Sequence, residues 1–247
     1  MNDRPPPSRP APFVRKGADA LTLHFAPQEI QSRMSLLQPH ALDLEYTRMM
    51  MGFLLFNPAP AHIAMIGLGG GSLAKFCHRY LPASRIAVAE LDPAVIALRD
   101  TFLIPPDDGR FAVIEQDGAD FVRRGDLAPD VLLLDGFDAG GLPERLCSQA
   151  FYDDCHDMLA PDGIMVANLH VNRPHRQASL ERIRRRYGAA VLEVVDDDMT
   201  NSVVFACKGG LFEREALSLA RPAHIAKDAW RQLMPTFRVI DATLQRW

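Results

Sequence analysis

Beyond residue 60, short apolar runs alternate with stretches whose apolar residues recur at helical spacing. The runs near 63–67, 86–90, 111–115, 130–135 and 163–168 predict strands, and the stretches near 71–80, 93–102, 118–124, 148–159 and 175–187 predict helices. Strands apolar throughout are buried on both faces, so a mostly parallel sheet covered by helices is expected. Two further apolar runs at 191–195 and 202–206, separated by Asp196-Asp197-Asp198-Met199-Thr200-Asn201, predict an antiparallel hairpin that closes the sheet at seven strands. Ahead of this pattern, 20–25 and 30–37 alternate imperfectly around Pro27 and predict a small hairpin. Leu42, Tyr46, Met49, Met50, Phe53 and Leu54 then mark a helix over 42–56, which Asn57-Pro58 ends. Two outer helices are expected in 212–247. The chain divides accordingly into a tail (1–15), a hairpin and helix (16–60), a main α/β domain (61–210) and a helical extension (211–247).

The first strand of the main domain runs into Gly67-Leu68-Gly69-Gly70-Gly71-Ser72, where a helix is expected to open. Such a loop lets backbone N–H groups approach a ligand, and the new helix turns its positive end toward it. The second strand ends at Glu90, the usual place for a carboxylate that holds a ribose diol. A dinucleotide fingerprint would need a third glycine where Ser72 stands, which ranks a nicotinamide dehydrogenase last. The spacing Gly67-x-Gly69-x-Gly71 instead resembles the S-adenosylmethionine-type class I methyltransferase fold.

Composition narrows the classes. A net charge of −4 over 247 residues offers no basic excess for a phosphate backbone, so no nucleic-acid partner is expected. The arginines at 182, 184, 185 and 186 read as a solvated helix face. Cys77, Cys147, Cys155 and Cys207 are far apart, as reduced buried thiols are, and no histidine spacing suits a metal. No stretch is long and apolar enough to span a membrane, and the proline-rich start lacks the apolar segment of a signal peptide. A soluble, cytoplasmic protein is expected.

Ligand-facing groups in open α/β sheets lie beyond the carboxyl ends of the strands. That rule selects the glycine loop, Glu90, Asp117, Asp135 and Asp138. Asp92 and Asp117 also suit the cap of the helix that follows each. Together the acids favour cations, and a sulfonium co-substrate and an amine are both cationic.

The stretch Asp135-Gly136-Phe137-Asp138-Ala139-Gly140-Gly141-Leu142-Pro143-Glu144-Arg145-Leu146, followed by Phe151-Tyr152, resembles the spermidine synthase family, and the likeness covers about residues 20–208. The resemblance implies aminopropyl transfer from decarboxylated S-adenosylmethionine to a polyamine. The nucleoside is a co-substrate, with no permanently bound cofactor and no metal. It implies that Glu90 binds the ribose, Asp117 accepts from the adenine amino group, and Gly67, Gly69, Gly71, Gly118 and the hairpin residue Gln31 line the nucleoside. Asp135 would take the proton of the attacking amine, while Asp138 and Tyr46 would bind the amine substrate. The family's dimers imply a homodimer. Three positions depart from the family pattern: Gly70 replaces a loop aspartate that meets the donor's amine, Ala139 replaces a proline, and 196–201 is shorter and reads as a solvated tight turn. Gly70 keeps a methyltransferase using intact S-adenosylmethionine open as an alternative, and the short loop keeps open a nucleoside-binding protein without catalysis.

Overall fold

A computed structural model of the chain describes residues 11–137, 141–171, 175–196, 198–213 and 217–246. The N-terminal region is a three-stranded antiparallel sheet of β1 (Phe13–Lys16), β2 (Ala20–His24) and β3 (Ser32–Ser35), in that order. The expected hairpin is β2–β3. Strand β1 begins inside the stretch expected to be tail, and its sequence Phe-Val-Arg-Lys has no period-two alternation to reveal it. Helix α1 (Glu45–Met50) passes directly into a 3-10 turn over Met51–Leu55, in place of one helix over 42–56. The tightening accompanies close packing at Gly52, where an added Cβ would lie 2.7 Å from the Phe205 ring.

The main domain alternates β4 (His62–Ile66), α2 (Ser72–Tyr80), β5 (Arg85–Glu90), α3 (Pro93–Ile96), β6 (Phe111–Glu115), α4 (Gly118–Arg124), β7 (Val131–Leu134), α5 (Gln149–Met158), β8 (Ile164–His170) and α6 (His175–Tyr187). The hairpin of β9 (Val191–Val195) and β10 (Asn201–Cys207) follows. The strand order is β6-β5-β4-β7-β8-β10-β9, parallel from β6 to β8, with β10 antiparallel to both its neighbours. This is the expected seven-stranded sheet. Alternate residues of each strand face opposite cores. Ile63, Met65, Val131 and Leu133 pack toward α1, α2 and the C-terminal helix, whereas Ala64, Ile66, Leu132 and Leu134 pack toward α4, α5 and α6.

Helix α3 is shorter than the expected 93–102. From Leu98 the chain closes a mixture of i−3, i−4 and i−5 turns, and Leu103 takes a left-handed φ of 54°. That path carries Phe102 and Ile104 beneath the glycine loop, where both are buried. In place of two outer helices over 212–247, the described residues there form one α-helix, α7 (Lys227–Leu244). Residues 217–226 run without helix toward it, held in part by the Trp230 indole N–H donating to the Leu219 carbonyl. All four cysteines are buried thiols. Arg184 and Arg185 are exposed as expected, whereas the half-buried Arg182 and Arg186 are tied to Cys147 and Asp157 beside α5.

Candidate active site

The strand order reverses between β4 and β7, so their carboxyl ends open a crevice. The Gly67 N–H donates to the Ala89 carbonyl of β5 at 2.9 Å, and the Asp135 N–H to the Ile66 carbonyl at the end of β4 at 2.9 Å. The start of the glycine loop is thus held on one side by β5, and the Asp135 segment is held against the end of β4. Gly67 is obligatory here. Its φ is 92°, and a Cβ would overlap the Asp135 carbonyl, whose carbon would lie 2.8 Å away. Gly69 and Gly71 also take positive φ, and α2 opens immediately after them.

Glu90 at the end of β5 is fixed by backbone donors. Its Oε2 accepts from Leu68 N–H and its Oε1 from Asp92 N–H, each at 2.9 Å. Each carboxylate oxygen keeps a free lone pair, so the group is braced against the loop and still able to accept from a diol. Asp117 serves two local partners. Its Oδ1 caps α4 through the Ala119 and Asp120 N–H groups, and its Oδ2 pairs with Arg145 at 2.8 Å. The capping role expected of Asp117 is therefore filled. Gly118 opens α4 against Ile66 and Leu146, where a Cβ would collide with the Ile66 side chain. Gln31 lies in the turn before β3, its N–H bonded to the Leu23 carbonyl. Its neighbour Ser32 packs on the glycine loop, filling the space where a Gly70 side chain would stand, with Oγ 2.8 Å from the would-be Cβ.

Asp135 is the electrostatic centre. Tyr46 on α1 donates its hydroxyl to Oδ2 at 3.2 Å, and the Asn168 amide on β8 donates to Oδ1 at 2.9 Å. Burial pushes the Asp135 carboxyl up to about 6, against the opposing pull of those two hydrogen bonds. Burial, then the nearby Asp135 charge, raise the Tyr46 phenol well above its ordinary value, so it stays a donor. A carboxylate of this kind is ionised at neutral pH yet more basic than an exposed aspartate, as a general base needs to be.

The structure thus brings together Gly67, Gly69, Gly71, Glu90, Asp135 and Tyr46, with Asp117 and Gly118 beyond Glu90 and Gln31 flanking the loop. Asp138 lies outside the described residues. The acidic 196–201 turn is tight, with residues 198–200 exposed to solvent as expected. Asp196 is buried, and its two oxygens accept from the N–H groups and side chains of Thr200 and Asn201, which hold its pKa below the usual range against burial. Sequence reasoning missed Asn168 and Arg145. Asn168 carried a usable signal, a lone polar residue inside an apolar strand near its carboxyl end. On the same face of β8, His170 meets the Phe137 ring edge-on at 4.4 Å between centroids.

The sheet order and its crevice define an α/β fold of the class I methyltransferase type. The family model for the spermine/spermidine synthase domain matches residues 43–196. Two bacterial polyamine aminopropyltransferases are similar. The one from Chromobacterium violaceum is 38% identical over 186 residues, covering 75% of this chain and 71% of the relative. That from Neisseria meningitidis is 36% identical over 211 residues, covering 85% and 80%. Among solved structures, a probable spermidine synthase from Corynebacterium glutamicum superposes with a TM-score of 0.71 at 21% identity, over 90% of this chain and 82% of that one. The chain belongs to the spermine/spermidine synthase family.

Proposed function

We propose that this protein transfers the aminopropyl group of decarboxylated S-adenosylmethionine to a polyamine acceptor. The observation that carries the reading is Asp135, a buried carboxylate near pH 6 at the topological switch point, gripped from both sides by Tyr46 and Asn168. The polyamine aminopropyltransferase relatives support it.

In this reading the nucleoside lies over the glycine loop, with its ribose on Glu90 and the amino group of its base at Asp117. Gly67, Gly69, Gly71 and Gly118 let it approach the backbone, and Gln31 flanks it. The acceptor arrives as an ammonium, which has no lone pair to attack with. Asp135 takes one proton; the freed nitrogen lone pair forms a bond to the methylene beside sulfur. The carbon–sulfur electron pair stays on sulfur, and neutral methylthioadenosine leaves. Sulfonium supplies the leaving group, so the protein contributes alignment and a base. Tyr46 and Asp138 hold the acceptor's charge. Residues 61–210 supply the nucleoside loop and the base and residues 16–60 add Gln31 and Tyr46, with a small-molecule acceptor, no nucleic acid, a homodimeric assembly and a cytoplasmic setting. Among the described residues no helix is long and apolar enough to cross a membrane.

A second reading, methyl transfer from intact S-adenosylmethionine, is favoured by one observation: Ser32 occupies the space beside Gly70 where an acidic loop side chain would repel the donor's carboxylate. Offering both donors with an amine pool and weighing the nucleoside product separates the two. Methylthioadenosine supports aminopropyl transfer; S-adenosylhomocysteine overturns it in favour of the second reading.

A further inference from the structure

The arrangement around Asp135 leaves one buried polar atom without a purpose. Asn168 is 3% exposed; its Nδ2 donates to Asp135, and among the described residues its buried Oδ1 has no hydrogen-bond partner. The amide orientation is fixed by chemistry, because the reverse would set a carbonyl-type oxygen against a carboxylate. Orphaned buried acceptors are uncommon in folded proteins, and those that persist call for an explanation. This one is separated from the nitrogen that touches Asp135 only by the amide carbon.

We propose that Asn168 is a catalytic residue whose Oδ1 accepts one N–H of the attacking amine while Asp135 accepts the other. The inference rests on the amine-transfer reading above. Once Asp135 has taken a proton from the ammonium, a primary amine holds two N–H bonds and one lone pair. A single acceptor leaves the nitrogen free to rotate; two acceptors fix both N–H bonds and so direct the lone pair along the carbon–sulfur axis. Asn168 suits this double duty because one amide group both steadies the base and offers an acceptor. Tyr46 completes the frame from the other oxygen of Asp135, and His170, two residues along the same face of β8, stands beyond it against Phe137.

The geometry predicts a preference for primary amines. The full-length protein would be assayed with the donor it turns over, a primary diamine, and the same diamine methylated once on each nitrogen. The wild type should favour the primary diamine in kcat/KM by about tenfold or more, the worth of one hydrogen bond to a charged centre. Asn168→Leu keeps the bulk and removes the acceptor. It should bring that ratio to within about threefold and lower kcat for the primary diamine about tenfold, with affinity for methylthioadenosine unchanged. Asn168→Asp keeps an acceptor oxygen, so it should keep the preference while a second carboxylate beside Asp135 moves the acid limb of the pH profile upward. An unchanged ratio in Asn168→Leu overturns the assignment and leaves Asn168 as a brace for Asp135. If that variant fails to bind methylthioadenosine, loss of the preference in Asn168→Asp overturns it equally. No amine-dependent product from the wild type would overturn the transferase reading itself, and this assignment with it.

Discussion

Replacing Asp135 with asparagine removes a charge from a place where burial penalises it. The carboxyl rises from its ordinary 3.8 to about 6 in the folded chain, a preference for the neutral form of about 3 kcal/mol at roughly 1.4 kcal/mol per pH unit. Below pH 3.8 folded and unfolded chains both hold the proton and nothing is lost. Between there and about 6 the unfolded chain releases its proton while the folded chain retains it, so stability falls as pH rises; above 6 the penalty is complete. Asparagine is spared that penalty. Its oxygen still accepts from Asn168 and its amide can donate to the Tyr46 oxygen, but the Tyr46 hydroxyl proton loses its acceptor, at about 1 kcal/mol. The net gain at pH 8 is about 2 kcal/mol, or about 4–8 °C in Tm for a chain of this size. Urea and thermal melts of wild type and Asp135→Asn at pH 8 and pH 4 read it directly. The variant should be more stable at pH 8, lose its advantage by pH 4, and be inactive at both. A variant no more stable than wild type at pH 8, or an advantage that does not change with pH, would refute the reasoning.

Gly67→Ala should lose turnover and at least 2 kcal/mol of stability on the order-of-magnitude scale for a strained backbone and a steric overlap, since the new Cβ would collide with the Asp135 carbonyl at a φ of 92°; urea titration with activity on the same sample checks both. Lys75, 1% exposed and donating only to the Phe102 carbonyl among the described residues, is held near 8 by burial. Between pH 8 and 10.5 the folded chain is neutral there while the unfolded chain is still charged, so wild-type stability should rise over that window, and melts of Lys75→Met should lack the rise. Asp117→Ala should cost about 1 kcal/mol by uncapping α4 and weaken methylthioadenosine binding, read by calorimetry, whereas Arg145→Ala should leave the cap and its stability intact.

The sheet was legible because its strands are buried on both faces and read as apolar runs, and because Asp117 and Ser148 sit where helices start, each capping with its side chain. Elements set by tertiary packing were not. Strand β1 exists because β2 offers an edge, and α3 ends early because Phe102 and Ile104 must floor the glycine loop. The placement of Glu90 and Asp135 was readable, because each stands where an apolar run ends. What a partner already occupies was not readable: the Arg145 pairing at Asp117, the Ser32 contact at Gly70 and the Asn168 amide on Asp135 all join segments far apart in the chain. The 196–201 turn shows the same limit. Its acids suggest an amine site or solvent exposure, and only the fold reveals Asp196 saturated by its own loop.

The central claim is tested most directly by mass spectrometry of the nucleoside released when the protein meets decarboxylated S-adenosylmethionine, with and without polyamines. The account predicts methylthioadenosine that depends on the amine and disappears in Asp135→Asn. Methylthioadenosine that persists in that variant, or S-adenosylhomocysteine formed only from the intact donor, would contradict it.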